Sequence, residues 1–489
     1  MTTPRTYRNR LVLVLAGLLT IRLIGLFVAP WGLHGDEAQY WAWSQDLDFG
    51  YFSKPPMIAW VIASTTSIFG NEEWAVRLAA PFLHIATSWM IFLTGLKIFE
   101  ARIGFWAALI YTLMPAVWLS SFIISTDATL LLFWVTALHA WACLREHPTW
   151  PRAVQLGLAI GLGLLSKYAM AFFTPVLVLA VLFDAPTRKA LLGPKGGVAG
   201  LIAVACLAPN LMWNAANNFA TISHTAENAN LQQDLFNPME VLTFWIDQLG
   251  VFGIVVFPML ILAIIATFKS KLSTPAKWLA GFAMLPLLAI TLEALLSRAN
   301  ANWAVTAYGA APILVALWAI ESKKRMTWLK GGLAVQTAVV LFVGLAATTT
   351  AGVDALGLDN AVKRLRAWPE TAKAVEIKAA EKDYDFIATD NRLVFYDLEH
   401  YGVGETPLRM WRLNATPKHH ADLTKTLPQG DGKILLVSYY ESFADYFRED
   451  FEVITPIETL EINLGPKKTR RLYLYEASGY SITEREDRT

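Results

Sequence analysis

Two adjacent carboxylates, Asp36 and Glu37, follow the first long apolar run of the chain, residues 11–30, after a gap of only five residues. Carboxylates beside a lipid phase are costly and often functional, and such a group can accept the proton of an attacking hydroxyl. Capping of a helix by Asp36 is the structural alternative. Lys54 lies in the same polar segment. Together these residues are typical of a group transfer that needs a proton acceptor and releases an anionic leaving group.

Further polar residues occur at the ends of other apolar runs. Asp127 directly precedes such a run, where helix capping competes with a functional role. His224 lies in the polar segment 214–237, where a lone histidine is usually structural. Basic side chains can hold a phosphate through charge-assisted hydrogen bonds, or can simply snorkel to water at the interface. The basic residues that share one side of the membrane in the topology below are Lys54, Arg77, Lys167 and Arg298.

The composition indicates a membrane domain followed by a water-soluble domain. Of 489 residues, 55% are hydrophobic, the mean hydropathy is +0.40, and 17% are charged, against roughly 25% in soluble domains. The charges are concentrated towards the C-terminus, so we predict a transmembrane domain over 1–350 and a soluble domain over 351–489. Cys143 and Cys206 both lie in apolar runs, which excludes a disulfide framework and a cysteine-based metal site.

Apolar runs of bilayer-crossing length predict a polytopic α-helical protein with about 11–13 spans. The first run is longer than the core of a cleaved signal peptide, so it is interpreted as a signal anchor. The stretch 154–183 is ambiguous, because Lys167 and its neighbours interrupt it. The predicted spans are 11–30, 78–99, 104–124, 128–144, 154–166, 169–183, 197–213, 241–268, 278–296, 303–320 and 331–348.

Positive charge is distributed unequally between the loops. Basic residues both precede and follow 154–183, so two short passes with Lys167 at the outer turn satisfy the positive-inside rule. This topology predicts a cytoplasmic N-terminus and a soluble domain on the outer side of the membrane. Four basic residues then face outwards before that domain, against seventeen that face the cytoplasm. The seventeen are Arg5, Arg8, Arg10, Lys97, Arg102, Arg145, Arg152, Arg188, Lys189, Lys195, Lys269, Lys271, Lys277, Lys323, Lys324, Arg325 and Lys330.

The first outer loop, residues 31–77, contains a thirteen-residue apolar piece, Met57–Phe69. A piece this short suits an interfacial or re-entrant helix. Several aromatic residues of the loop fit a belt at the level of the lipid headgroups, and anchoring is the main interpretation for most of them. They are Tyr40, Trp41, Trp43, Tyr51 and Trp60.

The soluble part alternates helical and strand patterns. Residues 361–380 predict a helix, whereas residues 385–389, 433–439 and 470–475 predict strands. We therefore expect a small α/β domain. The chain has no Gly-rich phosphate loop, no nucleotide-binding motif and no internal repeat.

Several motifs, in this order along residues 1–350, resemble those of C-type membrane glycosyltransferases. The match is closer to the superfamily of bacterial lipid A aminoarabinose transferases and protein O-mannosyltransferases. Within it the chain looks most like enzymes that modify lipopolysaccharide, including a galacturonosyl branch. The motifs are GDEAQYW at 35–41, GYFSKPP at 50–56, EWAVRL at 73–78, STD at 125–127, LSKY at 165–168 and SR at 297–298.

The resemblance implies roles for individual residues. Asp36, with Glu37 beside it, would be catalytic, and Lys54 would contact the donor phosphate. Aminoarabinose transferases have a Glu before the Lys-Pro-Pro sequence, where this chain has Ser53. A metal site that uses this Glu is therefore not carried over, no cofactor is expected, and aminoarabinose is a less favoured sugar. The other residues implied are Arg77, Lys167 and Arg298 at the phosphate, and Tyr40, Asp127, His224 and Asn302 as supports of the pocket.

The implied fold is that of a GT-C membrane enzyme with a small periplasmic α/β domain. The implied activity moves a sugar from a polyisoprenyl-phosphate donor to lipid A or lipopolysaccharide core at the bacterial inner membrane, without nucleic acid. Transfer to Ser or Thr of a protein is one alternative. The other is a transporter of lipid-linked sugar, but transporters tend to have internal repeats and sites at the membrane midplane, whereas these polar residues cluster at one surface.

Overall fold

The computed structural model describes residues 3–227, 235–269, 273–466 and 468–482. Lys271, one of the predicted cytoplasmic charges, lies outside the described residues. The chain forms two compact units, and most of the predicted first outer loop belongs to the same unit as the C-terminal domain. The first unit comprises Met1–Val28, Lys54–Val61 and Arg77–Gly344, and the second comprises Ala29–Ser53, Ile62–Val76 and Leu345–Thr489.

The chain is a multi-pass helical membrane protein. Six helices of the described residues are long and apolar enough to span a membrane, or up to nine if each of three bent pairs is one span. The expected number was higher, partly because two predicted runs form helices of only 12 and 17 residues, Ala101–Thr112 and Trp150–Ser166. The six are Pro4–Val28, Glu73–Ile98, Thr126–Glu146, Pro194–Ala216, Thr274–Leu296 and Lys323–Ala346.

Shorter helices connect or complete these spans. Glu73–Ile98 consists of Glu73–Arg77 and Ala79–Ile98, and the bent pairs turn by 113°, 108° and 58°. The bent pairs are Tyr168–Phe183 with Ala185–Leu191, Pro238–Phe252 with Val256–Lys269, and Ala301–Gly309 with Ala311–Ile320. The remaining helices before residue 350 are Gly35–Gln45, Met57–Phe69, Pro115–Leu119 and Ala220–Glu227.

Two expectations about individual segments are confirmed, and a third predicted span is bent. Met57–Phe69 is a thirteen-residue helix, and the helix Trp150–Ser166 ends at Lys167, whose backbone is extended. The run 241–268, predicted as one span, is a pair of helices bent by 108°. Its first helix ends at Gly253 with φ +113°, a conformation that glycine adopts without steric cost.

The helix Thr126–Glu146 is the best covered span of the first unit, because most of its residues are buried. It packs against Trp150–Ser166 and Ala79–Ile98. A buried helix with neighbours on several sides holds its side chains in fixed positions. It therefore positions the polar residues at both of its ends, among them Asp127 in the first turn.

The C-terminal part of the second unit contains the expected α/β domain. The described residues of this domain form five strands, which are β1 (Phe386–Thr389), β2 (Leu408–Met410), β3 (Ile434–Ser438), β4 (Phe451–Gly465) and β5 (Lys468–Tyr480). They form one sheet in the order β2-β1-β3-β5-β4. β1 pairs in parallel with β2 and β3, whereas β5 pairs antiparallel with β3 and β4. The three predicted strands correspond to β1, β3 and β5.

The predicted helix 361–380 is wrong at its start. Ala367 has φ +57° and precedes a helix that begins only at Trp368, because a left-handed residue cannot continue a right-handed helix. Two short helical turns precede it, Asp359–Val362 and Lys363–Leu365. The other helices of this part are Thr350–Ala355, Trp368–Ala379, Arg392–Tyr401, His420–Thr424, Glu441–Phe443 and Ala444–Asp450.

Alternate residues of a strand point to opposite faces of the sheet. Each face packs into a buried cluster that also contains helix residues. Ile387 and Leu435 belong to a buried cluster that also includes residues of Trp368–Ala379 and Arg392–Tyr401. Ala388 and Leu436 belong to a second cluster. The helix Arg392–Tyr401 follows β1 after only two residues, so its first residue lies close to the end of the strand.

Candidate active site

The short helix Gly35–Gln45 carries the two carboxylates found in the sequence. Its N-cap is His34: the His34 side chain accepts from the Asp36 amide at 3.3 Å, and the Glu37 carboxylate accepts from the His34 amide at 2.9 Å. Glu37 is buried, with 1% of its surface exposed, and it satisfies a backbone donor in a capping box. The side chain of Asp36 is 46% exposed. Asp36 is therefore the carboxylate that a substrate can reach.

The C-terminal domain supplies a partner for Asp36 that the sequence analysis missed. The Arg392 guanidinium donates to Asp36 Oδ1 at 3.0 Å and also to Gln39 Oε1. Gln39 in turn donates to the Ser53 hydroxyl at 3.4 Å. Ser53, the residue that departs from the aminoarabinose pattern, thus belongs to the hydrogen-bonded chain behind the carboxylate.

Local sequence explains why Arg392 occupies this position. Asn391 caps the helix Arg392–Tyr401, and its Oδ1 accepts from the amides of Leu393 and Val394 at 3.0 and 3.2 Å. Asparagine is among the best N-cap residues, so the Asp-Asn-Arg sequence after β1 indicates where this helix starts. Nothing in it indicates that Arg392 contacts a residue 356 positions earlier.

Backbone contacts attach the segment before Asp36 to the same domain. The Gly32 amide donates to the Leu365 carbonyl at 2.9 Å, and the Leu33 amide donates to the Tyr401 hydroxyl at 2.9 Å. Tyr401 also donates to Glu73 at 2.9 Å. The segment that leads into the helix Gly35–Gln45 is therefore held at Gly32 and Leu33, which limits the movement of Asp36 in the first turn.

Asp397 lies on the same helix as Arg392 and is buried, with neither carboxylate oxygen hydrogen-bonded among the described residues. Burial raises its pKa well above the usual value, the Arg470 charge opposes this shift, and Glu37 and Asp36 add to it. The folded protein therefore keeps a proton on the Asp397 carboxyl that the unfolded chain releases above about pH 4. Since the folded state holds more protons there, stability decreases as the pH rises from 4 towards the folded pKa.

We therefore expect Asp397→Asn to stabilise the protein more at pH 8 than at pH 4, because the amide cannot ionise. The measurement is the thermal unfolding midpoint of the purified protein at both pH values. Asp445→Asn, at an exposed carboxylate of the same domain, is the control and should show little change. An equal effect of Asp397→Asn at both pH values would contradict the buried, protonated state.

Three predicted residues of the first unit meet in a second cluster. The Lys167 ammonium donates to Asp127 Oδ1 at 2.7 Å, and Asn302 Nδ2 donates to Asp127 Oδ2 at 2.8 Å. Asp127 is 8% exposed, whereas the N-cap of its helix is Ser125. Its carboxylate therefore joins three chain segments. An ammonium has three N–H donors, of which this contact uses one.

A tyrosine network fixes the turn that contains Lys167. The hydroxyl of Tyr168 donates to Asn210 Oδ1 at 2.7 Å and accepts from Asn214 Nδ2 at 3.2 Å. Both asparagines are buried in the helix Pro194–Ala216. Lys167 thus follows the end of one helix and precedes a residue bonded to a second helix, which limits its movement.

The remaining predicted residues lie on other elements of the chain. Lys54 lies in the turn before Met57–Phe69, and Arg77 is a buried residue at the end of Glu73–Arg77. Arg298 is exposed between two helices, and no described hydrogen bond or ion pair joins it to the Asp127 cluster. His224 is half-buried in Ala220–Glu227. Tyr40 is buried with its ring 5.4 Å from that of Trp43.

Arg22 is a further residue that the sequence analysis missed. It lies within the first span, has 0% of its surface exposed, and donates to the Thr112 carbonyl at 2.7 Å. An arginine inside an apolar span is a signal for a structural or functional polar contact. Because Arg22 lies within a span, the charges of the loops gave no indication of it.

The described residues contain no group of three or more His, Cys, Asp or Glu side chains placed to hold a metal ion. The polar groups described above are the Asp36 carboxylate, held by a guanidinium, and the Asp127 carboxylate, held by an ammonium and a side-chain amide. The first suits proton transfer. The second suits the electrostatic positioning of a charged ligand.

Comparison with known proteins identifies the family. The profile described as dolichyl-phosphate-mannose-protein mannosyltransferase matches residues 53–213. The chain is 34% identical over 391 residues to the lipid A galacturonosyltransferase RgtD of Rhizobium johnstonii, covering 79% of this chain and 81% of that protein. The chain belongs to the RgtD family. It is therefore a GT-C membrane glycosyltransferase, rather than a transporter.

Other relatives agree with this family and fold. The lipopolysaccharide core galacturonosyltransferase RgtA of the same organism is 28% identical over 211 residues, which are 42% of each chain. The crystal structure of ArnT from Cupriavidus metallidurans bound to undecaprenyl phosphate has a TM-score of 0.67 and 15% identity, and covers 96% of this chain and 98% of that one. The RgtD-family chain thus shares the ArnT fold over nearly its whole length.

Proposed function

We propose that this chain transfers galacturonic acid from a polyprenyl-phosphate donor to lipid A at the periplasmic face of the inner membrane. The observation that carries the mechanism is the exposed Asp36 carboxylate at the start of a capped helix, which accepts from Arg392, a guanidinium that also donates to Gln39. Similarity to RgtD over 79% of the chain supports the sugar and the acceptor. The undecaprenyl phosphate held by ArnT, which has the same fold, supports the class of donor.

In the proposed reaction, a hydroxyl of lipid A attacks the anomeric carbon of the donor sugar. The bond between that carbon and the phosphate oxygen breaks, and polyprenyl phosphate leaves with the bonding electrons. Asp36 accepts the hydroxyl proton. Glu37 keeps the helix capped, and Arg392 orients the Asp36 carboxylate.

The basic residues are assigned to the anionic groups of the donor. A galacturonosyl donor has two such groups, the phosphate and the sugar carboxylate, so several cations are useful. Lys54, Arg77 and Arg298 would bind these groups directly. Lys167 would bind while it remains paired with Asp127, using its other N–H donors.

Transfer can be tested with the reconstituted protein, polyprenyl-phosphate galacturonate and lipid A. Mass spectrometry should detect lipid A that carries one added hexuronic acid residue, and an aminoarabinose donor should give no product. The match to protein mannosyltransferases over residues 53–213 favours a second candidate acceptor, the Ser or Thr hydroxyl of a protein. Modification of a Ser/Thr peptide with lipid A unchanged would overturn the proposed acceptor.

We expect Lys54→Ala and Arg298→Ala each to raise the KM for the donor by about tenfold, because each removes a charge-assisted hydrogen bond to the donor. The KM for lipid A should change little. The measurement is the initial rate against each substrate in turn. Lys363→Ala, in a short turn of the C-terminal domain, is a control. A raised KM for lipid A with an unchanged KM for the donor would assign these cations to the acceptor.

The proposed orientation has the N-terminus in the cytoplasm and the C-terminal domain in the periplasm. In a variant without Cys143 and Cys206, Arg298→Cys should react with an impermeant thiol reagent added from outside. Lys189→Cys should react only after the membrane is opened. Both positions are exposed, so accessibility to the reagent depends on the side of the membrane. The reverse pattern would invert the topology.

A further inference from the structure

A cavity of about 460 Å³ lies near the end of Thr126–Glu146 opposite to Asp127. Its lining includes His139 and Cys143 on this helix, and Lys97 and Arg152 on the neighbouring helices Ala79–Ile98 and Trp150–Ser166. His139 follows Asp127 by twelve residues, which is about 18 Å along a helix. The cavity is therefore separate from the Asp127 cluster and plays no part in the proposed transfer.

Fixed positive charge exceeds negative charge around this cavity. Lys97 forms an ion pair with Glu146, and the Arg152 guanidinium donates to Gln155 Oε1 at 2.7 Å. Two cations thus face one carboxylate, and that carboxylate is 53% exposed. An anion that enters the cavity can bind Arg152 and share Lys97 with Glu146.

Helix ends add to this preference. Thr149 lines the cavity as the N-cap of Trp150–Ser166, and within the described part of the chain its side chain accepts no capping hydrogen bond. The amides of Trp150 and Arg152 in the first turn are thus available to an anion, whereas Pro151 has no N–H. The helix dipole favours negative charge there. The helices Ala79–Ile98 and Thr126–Glu146 end near the cavity, and a helix C-terminus disfavours an anion. A basic residue in the last turn of each helix, Lys97 or Arg145, opposes this effect.

His139 provides a second, independent indication of a ligand. Only 8% of its surface is exposed, its Nε2 lies 3.5 Å from Cys143 Sγ, and its Nδ1 has no hydrogen-bond partner among the described residues. A buried polar atom without a partner costs free energy. Rotation of the imidazole towards the cavity would let an oxygen of a bound headgroup supply the missing hydrogen bond.

We propose that this cavity binds the headgroup of an anionic membrane phospholipid. Leu93 and Leu96 line the cavity beside the cations, so its wall combines apolar and basic surface, as a phosphate joined to acyl chains requires. The helices around it include two of the spans, and basic pockets at the ends of transmembrane helices commonly hold anionic headgroups. A lipid phosphate rather than a soluble phosphate is therefore the expected ligand.

Cys143 lines the cavity, so the reactivity of its thiol should decrease when a headgroup is bound there. In a Cys206→Ser variant it is the single thiol. The protein is placed in nanodiscs of phosphatidylcholine, with or without phosphatidylglycerol, and the rate of its modification by uncharged N-ethylmaleimide is measured. We expect phosphatidylglycerol to slow the reaction by about tenfold, as one charge-assisted hydrogen bond would.

Three comparisons make the test decisive. Arg152→Gln should remove the protection by phosphatidylglycerol, and Lys97→Gln provides the same test if Arg152→Gln fails to insert. Lys189→Gln, at an exposed cation outside the cavity, should keep the protection. Equal rates with and without phosphatidylglycerol would overturn the proposal. Equal protection by inorganic phosphate in phosphatidylcholine discs would also overturn it, because the site would then bind a soluble anion.

Discussion

Asp36→Asn is expected to reduce sugar transfer by a factor of about 10² to 10⁴, the usual contribution of a general base. The amide has nearly the shape of the carboxylate, and its oxygen can still accept from Arg392, so the helix and its contacts should persist. It cannot accept the proton of the lipid A hydroxyl. The measurement is the turnover rate at saturating donor and acceptor, with the protein level matched by quantitative blotting.

Variants at two further carboxylates distinguish a loss of proton transfer from a loss of helix stability. Asp46→Asn removes an exposed carboxylate just past the other end of the same helix and should leave turnover unchanged. Glu37→Gln weakens the capping box, so it should lower thermal stability more than turnover. A well-folded Asp36→Asn protein with near-normal turnover would show that another group accepts the proton.

Much of the membrane part was predictable because its pattern is local. Apolar runs indicate helices wherever they occur, and the break at Lys167 follows from basic residues on both sides of 154–183. Met57–Phe69 was predictable for the same reason. The bend at Gly253 was not, because Gly250 and Gly253 lie in the same apolar run and only Gly253 has a positive φ.

The C-terminal domain shows where local patterns fail. β1, β3 and β5 contain β-branched and aromatic residues in short runs, whereas β4 contains Pro456 and alternates exposed glutamates with apolar residues. It is a strand because it pairs with β5. It lies at an edge of the sheet, where proline is tolerated. The late start of the helix at Trp368 depends on one backbone angle at Ala367.

The site was predictable in its residue types but not in its contacts. Asp127, Lys167 and Asn302 were all predicted, and the structure joins them. The motif around Asp36 gave no indication of Arg392, because the two residues are 356 positions apart and only the folded C-terminal domain brings them together. Lys167 was predicted to bind the donor phosphate, and nothing in the sequence indicated that it also pairs with Asp127.

Arg392→Gln should reduce turnover by about a hundredfold with little change in either KM. Its guanidinium holds Asp36 and Gln39, and a misplacement of about 1 Å at a catalytic group can cost that factor. The acid limb of the activity–pH profile should also move to higher pH, because a carboxylate without its cation takes up a proton more readily. Initial rates from pH 5 to 9 measure both effects.

Arg392→Lys is the conservative variant, and it should restore part of the turnover and most of the pH profile. A lysine returns the positive charge, but it cannot reproduce the forked contact with two acceptors. Arg448→Gln, at an exposed arginine of the same domain that pairs with Asp445, should change neither quantity. If Arg392→Gln lowers turnover without moving the pH profile, and lysine gives no rescue, Arg392 supports the packing of two helices rather than the charge of Asp36. The C-terminal domain would then hold the catalytic helix in place without contributing to proton transfer.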